Sequence, residues 1–582
     1  MSNLSRAWAV AFFGLAMATT TPHAQAQATT ESPAPGAAPA YQPPRERDAA
    51  GNIIGPERAG WWNDVVFYQV FVRSFADSKN GELANDGIGD IRGLIDKLDY
   101  LNDGNPSTTS DLGIGGIWLM PMTESPSYHG YDVVDYRTIE RDYGTNDDFK
   151  RLINECHKRN IKVIIDLVMN HTSSKFPTFI EAADPKSPKH DWFIWSDTDP
   201  AYKGPWGQKV WHSLRGGKGP YYYGLFGRDM PDLNYHNKSA TDDMLDIVKF
   251  WAADEQQGGG GFNLDGYRLD AIRHLIEEGR QQDNTLATHQ WLKDFRKFYK
   301  DLSPDLVCVG EVWSSTESAS SYVGDQLDMA FEFDLAAAIV DSAKSGNTAR
   351  VRTAQEKVLK WYPPNQYGRF LTNHDQPRIM SQLKSDAGAM RAAAAMLLLG
   401  PGVPFIYYGE EIGMFGDKPD PDIRTPMQWT SADNAGFSSA KPWRSVNKEF
   451  QTLNVDTQSS QPESLLALYK QLIALRREHP ALAHGAYLPV DSGNNGVYAF
   501  LRQTQQQSLL VVINLTNKPV SEYALAANHS ALSGTSQAFD LITQSQSPVK
   551  AEASTVGKFT AFKPLAILAP NQVAAYRITS HP

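Results

Sequence analysis

Lys162-Val-Ile-Ile-Asp-Leu-Val-Met-Asn170-His171 decides how this chain is read. A near-continuous apolar, β-branched run of this length fits a strand buried on both faces of a parallel sheet. It breaks off in residues that carry charge and hydrogen bonds. The same pattern recurs on either side. Strands are expected over 65–75, 114–122, 162–170, 261–270, 306–312, 329–334, 368–373 and 403–409. Helical periodicity fills the gaps: 90–101 places Ile91, Leu94, Ile95, Leu98 and Leu101 on one face, and 147–159 and 241–253 behave alike. A last amphipathic helix, 464–477, is expected to stop near Pro480. Eight β–α alternations predict an α/β protein built on a (β/α)8 TIM barrel rather than an open doubly wound sheet.

Outward from the barrel the pattern changes. The connection from His171 to Gly261 far exceeds an ordinary loop and helix, and is dense in Trp, Tyr, Gly and Pro. Residues 172–236 therefore read as a small domain inserted after strand 3, leaving 61–171 and 237–480 to the barrel. Beyond Pro480, strand-like segments at 497–503, 509–515 and 573–578 predict an antiparallel β domain over 481–582, a β-sandwich. At the other end, Arg6 precedes a short apolar run at 8–20, with Ala24-Gln25-Ala26 and Ala26-Gln27-Ala28 as cleavage sites. Residues 1–28 read as a secretory signal peptide, too short to span a membrane. Residues 29–60, rich in Ala and Pro, read as a linker. An exported protein, periplasmic or secreted, is expected.

Composition narrows the function classes. Fifty-five Lys and Arg against 66 Asp and Glu leave a net charge of −11, which argues against a nucleic-acid partner. Hydrophobic residues at 41% rule out disorder for the bulk of the chain. The two cysteines, Cys156 and Cys308, sit in apolar segments without metal-ligand spacing and are expected as buried free thiols.

Barrel enzymes build their sites at the C-terminal ends of strands. Here strand 3 ends in Asn170-His171, strand 4 in Arg268-Leu269-Asp270 and then Arg273-His274, strand 5 in Gly310-Glu311, and strand 7 in Asn373-His374-Asp375. Each acid alone is more often a helix cap. Asp270, Glu311 and Asp375 at three separate strand ends fit glycoside hydrolysis, in which one carboxylate attacks the anomeric carbon and another protonates the leaving oxygen. Arg268 points to the same side of its strand as Asp270 and can hold it ionised.

These segments resemble the conserved regions of the α-amylase family of glycoside hydrolases (glycoside hydrolase family 13). Asp166–His171, Gly266–His274, Gly310–Trp313 and Thr372–Asp375 match four regions in order, and Met230–Asn234 resembles a fifth. The resemblance implies Asp270 as nucleophile, Glu311 as general acid/base and Asp375 as the acid that fixes substrate hydroxyls. It places Arg268, His171, His374 and the stacking Tyr131 around subsite −1, Arg378 near −1 and −2, and Arg273 and His274 at +1/+2. It implies a structural Ca²⁺ on Asn170, Asp232 and the carbonyl of His274. A second calcium loop is implied by Asp77, Asp86 and Asp90, where an acidic turn followed by a helix cap reads equally well.

Among family members, the chain is similar to bacterial α-amylases intermediate between oligo-1,6-glucosidases and neopullulanases. Ala271 after the nucleophile accords with α-1,4 specificity, and Tyr128 stands where exo-acting relatives carry an acid. Pro426-Met-Gln-Trp429 looks instead like the oligo-1,6-glucosidase branch. The expectation is an endo-acting, retaining α-1,4-glucan hydrolase, monomeric and without a membrane span. An α-glucosidase or oligo-1,6-glucosidase, a glucanotransferase or trehalose synthase, and a non-catalytic barrel are the alternatives.

Overall fold

The computed structural model describes residues 41–528, 530, 532, 534–554 and 557–580; the expected signal peptide lies outside them. Eight parallel strands close into a barrel. They are β1 (Phe67–Val70), β2 (Gly116–Leu119), β3 (Lys162–Leu167), β4 (Gly266–Leu269), β5 (Val307–Gly310), β6 (Met329–Phe331), β7 (Tyr367–Arg369) and β8 (Val403–Tyr407). Pairing of Phe67 with Phe405 closes the ring between β1 and β8.

Strand alternation explains the unbroken apolar runs. Phe67, Trp118, Ile164, Val309, Phe331 and Phe405 fill the barrel interior. Their neighbours Tyr68, Ile117, Val163, Tyr267 and Cys308 belong to the core under the surrounding helices. Phe67 stacks on Phe405 with ring centroids 4.6 Å apart, so the interior is packed and not a pore. Cys156 and Cys308 are buried and free, as expected.

Three elements differ from the sequence expectation. The 90–101 helix is two short helices, Ile91–Ile95 and Leu98–Leu101. The break falls at Lys97 (φ −108°, ψ 2°), whose ammonium lies 4.2 Å from the Trp429 ring centroid. The last helix, Leu465–Glu478, stops just before Pro480 as expected, but Pro480 then opens an unexpected short helix, Pro480–His484, where its missing N–H costs nothing. The described part of the expected linker, residues 41–60, is a strap on the barrel. Arg45 donates to the backbone carbonyls of Trp361, Ser320 and Val323, and Ile53 N–H to Leu359.

The insertion after β3 carries a three-stranded sheet of Trp195–Ser196, Trp211–Ser213 and Tyr221–Tyr223. It is tied back to the barrel where His171 bridges Asp232. After residue 485 the chain forms the expected antiparallel β domain, a nine-stranded sheet. Its ends meet at a bridge between Asp491 and Ala526, so the sheet wraps its own core of Val497, Leu501, Leu510, Phe559 and Tyr576. The outer faces of Val497–Gln503 and Ser508–Asn514 pack on the barrel through Phe500, Leu509 and Val511, which buries both strands on both sides. Among the described residues no helix is long and apolar enough to cross a membrane.

Candidate active site

Arg268, only 1% exposed, organises the open end of the barrel. It stands opposite Asp166 in the β3–β4 register. Its Nη1 donates to Asp166 Oδ1 at 2.6 Å and to Asp270 Oδ1 at 2.7 Å, and its Nη2 to Glu311 Oε2 at 2.7 Å. One rigid fork therefore fixes acids from three strand ends. The chain turns sharply after Asp270: Ala271 adopts a left-handed conformation (φ 47°, ψ 31°). That strained turn aims the Ala271 N–H at Glu311 Oε2, 3.0 Å away.

Burial raises the Glu311 carboxyl to about 7, with Arg268 opposing it and Asp270 and Asp375 adding to it. Burial also raises Asp270 to about 7 against Arg268. Two carboxyls on one guanidinium titrate as a pair, so near neutral pH they hold a proton between them. Such a pair can combine a nucleophile with a proton donor.

Asp375 differs. Burial would raise it, but His374 and Arg424 outweigh burial and bring it down to about 2. Arg424 Nη2 donates to Asp375 Oδ1 at 2.9 Å, and His374 Nε2 lies 3.1 Å from Oδ2. The Gln69 amide donates to His374 Nδ1 at 2.7 Å, which leaves the imidazole proton on Nε2, facing Asp375 and the Tyr131 hydroxyl. Burial holds His374 well below the usual histidine range, so it stays neutral. The Tyr131 ring stacks on His374 at 5.6 Å, and its hydroxyl donates to Asp166 at 3.0 Å.

His171 and His274 lie on the side of the inserted domain. His171 Nε2 donates to the Tyr131 carbonyl at 2.9 Å, and burial lowers the ring to about 4. His274 donates Nδ1–H to the Gln282 carbonyl at 2.9 Å and is likewise lowered to about 4. Arg273 spans two loops, from Asp283 to the Trp313 carbonyl.

Arg378 is bound to backbone rather than to an acid. It is buried and donates to the carbonyls of Tyr408 (2.7 Å) and Ile423 (3.0 Å). It braces the segment after β8, and that segment delivers Arg424 to Asp375. The cation beside the third acid is Arg424, two residues before the Pro426-Met-Gln-Trp429 stretch.

The expected metal residues divide into two groups. Asn170 Nδ2 donates to Asp232 Oδ2 at 3.1 Å, while Asn170 Oδ1 is buried without a partner among the described residues. Glu277, unread in the sequence, brings a second carboxyl whose buried Oε1 also lacks one. Burial raises Asp232 to about 7, and burial with Asp232 nearby raises Glu277 well above its ordinary value. The Asp77 loop is different. Asp77 accepts the N–H groups of Asn85 and Gly87, Asp86 that of Ile88, and Asp90 those of Ser78 and Gly93. Asp90 is thus the helix cap, and these carboxylates hold a turn together. No orphaned carboxylate oxygen marks a cation there among the described residues.

Four contributors went unread in the sequence: Gln69, Asp166, Glu277 and Arg424. Asp166 alone carried a signal, as the one acid inside an apolar strand.

Residues 69–485 match the alpha-amylase catalytic domain family, and residues 490–559 the cyclo-malto-dextrinase C-terminal domain family. The chain is 36% identical to alpha-amylase 3 of Dictyoglomus thermophilum, over 78% of this chain and 85% of that protein. It is 34% identical to the trehalose synthase/amylase TreS of Mycobacterium tuberculosis, over 82% and 85%. The solved alpha-amylase of H. orenii superposes with a TM-score of 0.74 at 36% identity, covering 88% of this chain and 99% of that one. The protein belongs to the α-amylase family of glycoside hydrolases.

Proposed function

We propose that this enzyme is a retaining, endo-acting hydrolase of α-1,4-glucans such as starch and maltodextrins. Asp270 attacks the anomeric carbon through the oxygen that Arg268 leaves free, and the C1–O bond to the leaving sugar breaks. Glu311 gives its proton to the departing oxygen, then takes one from the water that attacks C1 and releases Asp270. Adjacent nitrogens of one guanidinium hold the two acids, which suits the spacing of about 5–5.5 Å that retention requires. Asp375, ionised by Arg424 and His374, accepts hydroxyls of the bound sugar, and Tyr131 stacks on its ring.

The observation that carries the endo reading is the wall beside Arg424. Tyr128 supplies no carboxylate there. Its ring stacks on Trp443 at 5.3 Å, with the Arg424 guanidinium 6.0 Å from its centroid. Arg424 spends its charge on Asp375 and Asp420. An aromatic wall lets a glucan continue past subsite −1, where an acid would cap a terminal glucose. The test is digestion of soluble starch, following iodine staining against reducing ends. Early loss of stain supports internal cleavage. Glucose alone from the start, with stain persisting, makes the enzyme an α-glucosidase. Formation of trehalose supports the synthase activity named for the mycobacterial relative.

The same proposal includes one structural Ca²⁺. Asn170 and Glu277 each offer a buried oxygen without a partner among the described residues, and Asp232 adds a buried carboxylate, a donor set that suits this ion; the His274 carbonyl lies three residues from Glu277. Bound there, the ion would cross-link the inserted domain and the barrel. Residues 8–20 support export, and the enzyme acts as a monomer.

A further inference from the structure

Phe67 and Gln69 share the inward face of β1. Phe67 belongs to the packed barrel interior. Gln69 is 2% exposed and stands beside Trp118 of β2 and Tyr407 of β8 in the register. A buried amide in so apolar a layer needs a partner. Its Nε2 lies 2.7 Å from Nδ1 of His374.

The far side of the ring decides which way that hydrogen bond runs. Tyr131 gives its hydroxyl proton to Asp166, so a lone pair of its oxygen faces His374 Nε2 at 2.6 Å. Ionised Asp375 faces the same nitrogen at 3.1 Å. Two acceptors at Nε2 call for an N–H there. A neutral ring then carries a bare lone pair at Nδ1, and the Gln69 amide supplies the donor that satisfies it. The hydrogen bonds run in one direction from Gln69 through His374 and Tyr131 to Asp166, where Arg268 closes the chain.

The charged groups around the ring come from three elements. Asp375 is its neighbour in the loop after β7, Arg268 stands on β4, and Arg424 and Lys418 follow β8. Burial comes first in keeping the ring uncharged; Asp375 opposes it, and the three cations add to it. Trp118 presents an edge to the ring at 5.7 Å.

The charge of this ring bears on the chemistry. Glycoside cleavage passes through an oxocarbenium-like transition state with positive charge at the anomeric centre. The Tyr131 ring, on which the sugar is read to stack, lies parallel to His374 at 5.6 Å. An imidazolium at that distance would oppose the developing cation in a water-poor site.

We propose that Gln69 is a positioning residue for the reaction: by donating to Nδ1 it holds His374 as an uncharged Nε2–H donor beside Asp375, so that no imidazolium faces the positive charge that develops on the sugar. The inference rests on the glycoside-hydrolase reading and holds for endo or exo cleavage alike. The experiment combines kinetics on maltotetraose with ¹⁵N NMR of enzyme labelled at histidine, the His374 signals being identified by their loss in His374→Asn. In wild type near neutral pH, His374 Nδ1 should appear as a bare nitrogen and Nε2 as a protonated one. Gln69→Glu keeps the shape but sets an acceptor against Nδ1. It should protonate that nitrogen and lower kcat about tenfold or more, with KM within about twofold, because the added charge acts on the transition state. Gln69→Met removes the donor without adding charge. It should leave the ring uncharged and cost about fivefold at most, the scale of one neutral hydrogen bond. A protonated Nδ1 in wild type, an unchanged kcat in Gln69→Glu, or equal losses in Gln69→Met and Gln69→Glu overturns the role, and the first of these needs no variant that folds. A wild type inactive on maltotetraose overturns the hydrolase reading, and this role with it.

Discussion

Replacing Arg268 by Met removes the one cation shared by Asp166, Asp270 and Glu311, at 2.6, 2.7 and 2.7 Å. Breaking one buried ion pair costs about 3–5 kcal/mol. With Arg268 present these carboxyls already stand at about 6, 7 and 7. Without it each rises further and is protonated in the folded protein where the unfolded chain leaves it ionised. A carboxyl raised on folding contributes stability that is complete below its unfolded pKa and is lost as pH climbs through the folded value. Each proton taken up changes stability by about 1.4 kcal/mol per pH unit, so three set a ceiling of about 4 kcal/mol per pH unit. Arg268→Met should therefore be close to wild type in urea midpoint at pH 5 and fall well below it at pH 8. Equal destabilisation at both pH values, or none, would refute the claim that Arg268 neutralises the three acids.

Other consequences are as direct. Asp270→Asn should abolish nearly all turnover with the fold intact by circular dichroism. Glu311→Gln should lose about 10²–10⁴-fold on maltooligosaccharides but much less on substrates with acidic leaving groups, which need no proton; in wild type, activity should decline above about pH 7 as the Glu311 proton is lost. Chelator should lower the thermal midpoint, and Glu277→Gln should remove most of that response. Because Asp232 must lose a proton to bind the ion, calcium should bind more weakly as pH falls through about 7, measurable by calorimetry. Arg378→Met should lower both stability and kcat by loosening the segment that carries Arg424, without the selective rise in KM expected of a sugar ligand.

The barrel was legible because its strands are apolar on both faces and each ends abruptly in polar residues. The three acids were legible because strand ends announce themselves, and the order of the motifs then gave the family. What stayed hidden depends on contacts between distant segments. Gln69 meets His374 across the barrel, and nothing in Phe67-Tyr68-Gln69-Val70 marks that glutamine as a partner of an imidazole. The family resemblance points to Arg378, three residues after Asp375, whereas Arg424 lies far along the chain from its partner. The backbone carbonyls of Tyr408 and Ile423 capture Arg378. Composition leaves the Asp77 loop open between a cation loop and an acidic turn with a helix cap, and only the structure shows which backbone N–H groups Asp77 and Asp90 accept. The 41–60 strap has no periodicity to read, since Arg45 and Ile53 hold it through backbone partners.

The central claim is that Asp270 forms the covalent bond to sugar. The direct measurement is to trap the enzyme with a 5-fluoro-α-glycosyl fluoride, digest it and locate the added mass by peptide sequencing in the mass spectrometer. The account predicts one sugar per chain on the peptide containing Leu269-Asp270-Ala271, and none in Asp270→Asn. An adduct on Glu311 or Asp375, with Asp270 unmodified in an active enzyme, would contradict it.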